Sequence, residues 1–64
     1  MNSPFNFGDI VTNVSEAYSC AEKGSTGVIV DDGYITQFGL WRFLVRWDYA
    51  PDMFFGVHHL DIIK

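Results

Sequence analysis

The stretch LWRFLVRWDY, residues 40–49, decides the fold of this chain. Its side chains alternate in character with a period of two. One set of alternate positions is apolar or aromatic throughout: Trp41, Phe43, Val45, Trp47 and Tyr49. The other set contains both arginines: Leu40, Arg42, Leu44, Arg46 and Asp48. Because successive side chains of a strand point to opposite faces, this pattern predicts a β-strand with one face in the core.

Shorter apolar runs on both sides of this strand predict further strands. They occupy residues 9–13, 27–32, 34–38, 53–57 and 60–64, and the run at 34–38 either extends the second strand or forms a separate excursion. Turn-forming residues separate them at 31–33 and 50–52. A single helical turn is expected near His58 and His59. Five main strands without a helix of ordinary length predict a small all-β barrel, whose closure leaves few exposed edges.

The alternation is lost between residues 14 and 26. Ser15 is a candidate N-cap for a turn of helix, but the segment that follows lacks an apolar stripe, so a long surface loop is favoured. Gly24 and Gly27 are expected to bracket a tight turn. Residues 1–7 are expected to form an arm that docks one or both of its phenylalanine rings, so the whole chain, 1–64, is read as one domain.

Several short motifs resemble those of KOW-type modules. Residues 8–11 (GDIV) and 23–30 (KGSTGVIV) are similar to the opening of that family. Residues 45–48 (VRWD) and 59–63 (HLDII) are similar to small SH3-like proteins, several of them encoded by bacteriophages. The resemblance covers about residues 8–64 and implies a five-stranded SH3-like barrel. In this chain the first loop, residues 14–23, is long for such a module, and a short helical turn is expected before the last strand. Barrels of this family bind RNA, DNA or protein.

Size and cysteine content restrict how the fold is stabilised. A chain of 64 residues buries only about 60% of the surface of its unfolded form. Cys20 is the only cysteine, so no disulfide forms within the chain, and with His58 and His59 it is too little for a four-ligand zinc site. The aromatic residues, 17% of the chain, are therefore expected to supply the core, with some surface left for self-association.

The charge balance favours a protein partner over nucleic acid. The net charge is −4, and the bases are only Lys23, Arg42, Arg46 and Lys64. Most nucleic-acid binders neutralise phosphates with clustered Lys and Arg. No apolar stretch approaches the length of a membrane span, and the N-terminal residues do not resemble a signal peptide. The expectation is a cytoplasmic protein, in the host cytoplasm if the chain is phage-encoded.

No residue pattern predicts catalysis, a metal or a cofactor. His58 and His59 are neighbours and would point to opposite faces of a strand, so one ion could not bind both easily. Cys20 lacks the flanking signature of a nucleophile and reads as a small buried apolar residue. A small barrel also leaves little concave volume for a substrate. The chain is therefore predicted not to be an enzyme.

Aromatic side chains in loops and next to turns are the best candidates for binding. Together with two turn carboxylates they form the predicted protein interface: Tyr18, Tyr34, Phe38, Phe54, Asp31 and Asp32. The alternative reading is that these rings plug the open ends of the barrel and that the carboxylates only serve the turn. The acidic residues together could also imitate nucleic-acid phosphates, although an ordinary solvated surface is favoured.

Two further functions remain open. A KOW-like nucleic-acid binder would use Lys23, Arg42 and Arg46, with base stacking on Tyr34 or Trp41. The two arginines lie four residues apart on one face of the predicted strand. The third reading is a homo-oligomeric structural protein without a separate ligand. The leading hypothesis is a small, phage-encoded protein-interaction module that modulates or inhibits a host or viral protein.

Overall fold

The computed structural model describes residues 3–18 and 22–64. These residues form one antiparallel sheet of six strands. The strands are β1 (Ile10–Asn13), β2 (Thr26–Ile29), β3 (Tyr34–Ile35), β4 (Trp41–Trp47), β5 (Phe54–His58) and β6 (Ile62–Ile63). A 3-10 turn, His59–Asp61, joins β5 to β6. The predicted all-β class and the helical turn before the last strand are both confirmed.

Strand β4 is the centre of the sheet. It pairs with β5 along one edge and with both β2 and β3 along the other. Strand β1 continues the sheet from β2, and β6 pairs with the far edge of β1. The long alternating stretch thus supplies the strand that three others contact, which explains why its pattern is the clearest in the chain.

A bulge separates β2 from β3. Ile29 lies opposite Val45 and Tyr34 lies opposite Arg42, so residues 30–33 on this edge span only residues 43–44 of β4. The carboxylate of Asp31 fills the gap in the ladder, because its Oδ1 accepts the backbone N–H groups of Gly33 and Leu44, each at 3.1 Å. Beyond the bulge, β3 occupies the first two residues of the run at 34–38 as a separate strand, which raises the count from five strands to six.

The core lies under one face of the sheet and is small. Its buried members come from alternate positions of all the longer strands and from β6: Val11, Ile29, Phe43, Val45, Trp47, Val57 and Ile62. Trp41 is half-buried and stacks on Phe43 with ring centroids 6.0 Å apart. Tyr49 is exposed, because β4 ends at Trp47. The prediction that the strand extends to Tyr49 is wrong.

The N-terminal arm and the loop between β1 and β2 follow the sequence prediction in part. Phe5 docks edge-on against Phe43 at 5.6 Å, whereas Phe7 is exposed. The described parts of the loop, residues 14–18 and 22–25, contain no helix. Buried Asn13 holds the base of this loop: its side chain donates to the Glu22 carbonyl oxygen and accepts the N–H of Ser15.

Two sequence predictions are corrected by the sheet. Gly27 is not a turn residue but a buried member of β2, opposite Trp47. The sheet does not close into a full barrel, since no ladder among the described residues joins β5 to β6. The 3-10 turn carries the chain from one to the other, and β6 has only two residues, both of which pair with β1. The prediction of a closed barrel is wrong, although the prediction of an all-β chain is right.

Candidate functional site

Large apolar side chains are exposed at several places in the described part of the chain. The following large apolar side chains are exposed in the described part of the chain: Phe7, Ile10, Val14, Tyr34, Ile35, Phe38, Leu44, Tyr49, Met53, Phe54, Leu60 and Ile63. Single exposed apolar residues are ordinary, but a contiguous group marks an interaction surface. The relevant question is therefore which of these side chains the sheet places together.

One side of the sheet gathers several of them. The outer face is defined here as the solvent-facing side of β3, β4 and β5, which carries Tyr34, Arg42, Leu44, Arg46 and Phe54. Tyr34 lies directly opposite Arg42, and Phe54 lies directly opposite Arg46. Directly opposed side chains of antiparallel strands are about 4.5–5.5 Å apart at Cβ and interact. Two aromatic–arginine pairs therefore flank Leu44.

The exposure of this face follows from the alternation in β4. Phe43, Val45 and Trp47 point into the core, so the residues between them must point outward. Tyr34 is 57% exposed and Phe54 is 51% exposed. The sheet thus presents ring surface and guanidinium groups to solvent on the side opposite its core.

Gly56 holds the guanidinium group of Arg42 on this face. The Nη2 atom of Arg42 donates to the Gly56 carbonyl oxygen at 3.3 Å. A Cβ atom at Gly56 would lie 2.7 Å from Nε of Arg42, so the absence of a side chain lets the arginine lie along the strand. Arg42 is half-buried as a result, whereas Arg46 is exposed.

Carboxylates border the outer face but do not pair with its arginines. The only ion pair that the described side chains make joins Lys64 to Asp9, at 3.4 Å. Asp48 accepts the hydroxyl proton of Thr26 at 2.6 Å, and Asp31 is engaged by backbone N–H groups. The two arginines of the outer face are therefore not paired with a carboxylate, although Asp31 and Asp48 lie at its border.

The structure unites residues from both predicted binding sets. Tyr34 and Phe54 belong to the predicted protein interface, and Arg42 and Arg46 belong to the nucleic-acid alternative, yet all four lie on the outer face. The prediction that the two arginines share one face of their strand is confirmed. Leu44 was not predicted as a site residue, although its place between the two arginines at a spacing of two is visible in the sequence.

The remaining predicted site residues lie elsewhere. Phe38 is 80% exposed in the turn between β3 and β4, and Lys23 is exposed in the loop between β1 and β2. Asp31 supports the bulge, and Asp32 is exposed beside it. Tyr18 is half-buried against the core cluster. These side chains do not form one patch with the outer face by strand register.

The Tyr18 hydroxyl joins the first loop to the open edge of the sheet. It donates to Oδ2 of Asp61 at 2.6 Å and accepts the backbone N–H of His58 at 3.2 Å. Burial raises the pKa of this hydroxyl, and its hydrogen bond to Asp61 raises the pKa further. The contact protects the edge of β5 that faces away from β4, where no strand of the described residues pairs with it.

We expect the stabilisation that the Tyr18 contact provides to be lost at alkaline pH. A pKa raised by folding means that the stabilisation is present below the unfolded value of about 10 and is lost as the pH rises through the folded value. Tyr18→Phe should cost about 1 kcal/mol at neutral pH. When the pH is raised above about 10, the urea midpoint of Tyr18→Phe should fall less than that of the wild type. Tyr34→Phe, which removes the hydroxyl of an exposed tyrosine, is the control. Equal alkaline losses in wild type and Tyr18→Phe would contradict the assignment.

The two histidines lie at the end of β5 and at the start of the 3-10 turn. Nδ1 of His59 accepts the backbone N–H of Trp41 at 3.0 Å, so this ring has a structural role. Nδ1 of His58 is buried without a partner in the described structure, as is Nε1 of Trp47. Within residues 3–18 and 22–64, no group of three or more metal-ligating side chains could hold an ion. Cys20 lies outside the described residues.

Comparisons with known proteins give no family assignment. The chain matches no protein-family model, no curated protein and no solved structure. In the part of the chain that is described, no helix is long and apolar enough to cross a membrane.

Proposed function

We propose that this chain is a non-enzymatic protein-binding module and that the outer face of its sheet is the docking surface. The observation that carries the proposal is that Tyr34, Leu44 and Phe54 lie with two arginines on the exposed side of the sheet. Interface hot spots are enriched in aromatic residues and arginine. A sheet also holds these side chains more rigidly than a loop would, which lowers the entropy cost of binding.

The proposal moves the binding surface from the loops to the sheet. Phe38 and Tyr18 were expected to bind from loops, but Tyr18 already stabilises the sheet edge through its hydroxyl. The resemblance to small phage-encoded SH3-like proteins extends the proposal to the chain's role. On that basis the module modulates or inhibits a host or viral protein in the host cytoplasm.

Nucleic-acid binding is a second candidate, favoured by the same face. Exposed rings stack on bases, and Arg42 and Arg46 could contact phosphates. Asp31 and Asp48 beside this face oppose a nucleic acid, because its closely spaced phosphates would come near both carboxylates. Two phosphate contacts on a single strand would give a salt dependence with a slope of about −1.4 in logarithmic units. This slope separates the two candidates.

A selection from random peptides tests the proposal. The wild-type chain should enrich peptides from a displayed library of random twelve-residue sequences. A double variant, Tyr34→Ser with Phe54→Ser, should bind the enriched peptides at least about 30-fold more weakly, because truncation of a hot-spot residue costs about 2 kcal/mol or more. Leu60→Ser is the matched control, since Leu60 is exposed outside the outer face. Tryptophan fluorescence confirms that each variant is folded.

Two results would overturn this assignment. One is enrichment of the same peptides by wild type and the double variant. The other is binding of a single-stranded oligonucleotide with the salt slope given above, combined with no peptide enrichment.

A further inference from the structure

We infer that the outer face binds an extended acidic segment of the partner, with two carboxylates four residues apart and an apolar residue midway between them. This inference rests on the proposed function and names the chemistry of its ligand. The arginines occupy positions i and i+4 of β4, and Leu44 occupies position i+2. An extended chain rises about 3.4 Å per residue, so side chains of a strand-like segment lying along β4 recur at the same spacing.

Charge complementarity selects the acidic ligand. All four basic side chains of the protein belong to the described residues, and Lys64 already pairs with Asp9. Arg42 and Arg46 make no ion pair with any carboxylate in the described chain, although the sequence contains eight acids. Guanidinium groups bind carboxylates through two parallel hydrogen bonds, which neither Lys nor a neutral donor reproduces. A partner that supplies two carboxylates would therefore form an ion pair with each arginine.

The position of Arg42 is fixed before any ligand arrives. Its guanidinium group lies over Gly56 and is hydrogen-bonded to the carbonyl oxygen there. This contact uses one N–H of the five that arginine carries. A side chain held in place by its own strand loses less conformational entropy when it binds. Gly56 thus acts as a positioning residue for the first carboxylate.

Neighbouring carboxylates restrict the ligand to this spacing. Asp48 lies on the same side of the sheet two residues beyond Arg46, where it is held by Thr26. Asp31 lies at the edge of β4 beside Leu44. A ligand carboxylate opposite Leu44 or beyond Arg46 would meet a negative charge, so repulsion discriminates against other spacings.

A second copy of the chain is a poor occupant of the outer face. A two-fold contact uses the same patch on both subunits. Two outer faces packed on each other would bring four guanidinium groups together and leave Asp31 and Asp48 at the border, where they already accept hydrogen bonds from the backbone and from Thr26. Guanidinium groups without a carboxylate partner are unfavourable in an interface once water is removed. A partner with complementary charge avoids this cost.

Synthetic peptides of nine residues, labelled with fluorescein, test the inference by anisotropy. Two glutamates are placed two, four or six residues apart around a central leucine, and each peptide has a counterpart with two glutamines. The spacing of four should bind about tenfold more tightly than its glutamine counterpart and than the other spacings. The advantage should shrink as salt rises.

Variants of the chain assign the effect to the two arginines. Arg42→Gln and Arg46→Gln should each remove a large part of the glutamate advantage, which is the ratio of the affinities that one and the same variant has for the glutamate and the glutamine peptide. Gly56→Ala keeps both charges but displaces Arg42, so it should also reduce the advantage. Arg46→Glu should favour a peptide with lysine at the matching position.

The outcomes separate this inference from the proposed function. If glutamate and glutamine peptides bind equally and both depend on Tyr34 and Phe54, the protein-binding face stands and the acidic ligand is wrong. If another spacing binds best, the matched geometry is wrong. If no peptide distinguishes wild type from the double aromatic variant, the proposed function itself fails.

Discussion

Replacement of Gly33 by alanine should unfold a large fraction of the protein at room temperature. Gly33 has φ +72° in the bulge between β2 and β3, a conformation that costs a residue with a side chain about 1–2 kcal/mol. A Cβ atom there would also lie 2.6 Å from Cδ1 of Phe43, within the core. Overpacking of this kind adds about 1–3 kcal/mol. Together these costs approach the total stability of about 3–5 kcal/mol that a core of this size supplies.

Gly39→Ala is the matched control for Gly33→Ala. Gly39 has φ +81° but nothing lies within 4 Å of its Cβ position. Gly39→Ala should therefore lower the free energy of unfolding only by the cost of the backbone conformation, about 1–2 kcal/mol. Urea denaturation followed by tryptophan fluorescence measures both. If Gly33→Ala and Gly39→Ala are destabilised equally, the contact with the Phe43 ring does not contribute to the loss of stability.

The contact between position 33 and the Phe43 ring can also be tested by replacing Phe43 with a smaller residue. Phe43→Leu alone removes ring volume from the core and should be destabilising. In that background, the additional cost of Gly33→Ala should fall towards the cost of Gly39→Ala, because the ring that it would contact is gone. A double-mutant cycle measures this coupling directly.

The alternation of residues 40–49 made the centre of the sheet predictable. Phe43, Val45 and Trp47 are buried as a period of two requires, and the alternate residues Arg42, Leu44 and Arg46 lie on the other face. The strand ends were harder to predict, because they depend on backbone hydrogen bonds. The Thr36 N–H, for example, donates to the Leu40 carbonyl oxygen and closes the β3–β4 turn after Ile35.

The outer face could be predicted only in part, because it depends on strand register. The sequence places Arg42 and Arg46 on one side of a strand. It does not show that Tyr34 lies opposite Arg42, because that pairing requires residues 30–33 to form a bulge closed by the Asp31 carboxylate. A regular continuation of β2 would shift the register and place a different side chain opposite Arg42.

Gly27 was misread for a related reason. The run Gly24-Ser25-Thr26-Gly27 contains turn-forming residues, and a turn is what such residues usually indicate. The described structure instead requires a residue without a side chain inside β2, where Trp47 packs across from it. Turn propensity acts locally, whereas the size of the cross-strand neighbour becomes known only once the strands are paired.

Gly27→Ala should therefore destabilise the protein by about 1–3 kcal/mol or more. The Cβ atom would lie 2.7 Å from Cγ1 of Val45, 2.8 Å from the carbonyl oxygen of Arg46 and 2.9 Å from Cε3 of Trp47. A backbone atom and two core side chains cannot all move aside without separating β2 from β4. The midpoint of urea unfolding measures the loss.

Gly56→Ala provides the control within a second strand. Its Cβ atom would meet only the flexible end of Arg42, and alanine in a strand interior gains back about 0.5–1 kcal/mol relative to glycine. Its stability should therefore stay close to that of the wild type, even though Arg42 is displaced. A loss as large as that of Gly27→Ala would mean that the Arg42–Gly56 contact stabilises the fold and is not simply a means of positioning a binding residue. With stability unchanged, any weaker binding of acidic peptides by this variant reports on the outer face alone.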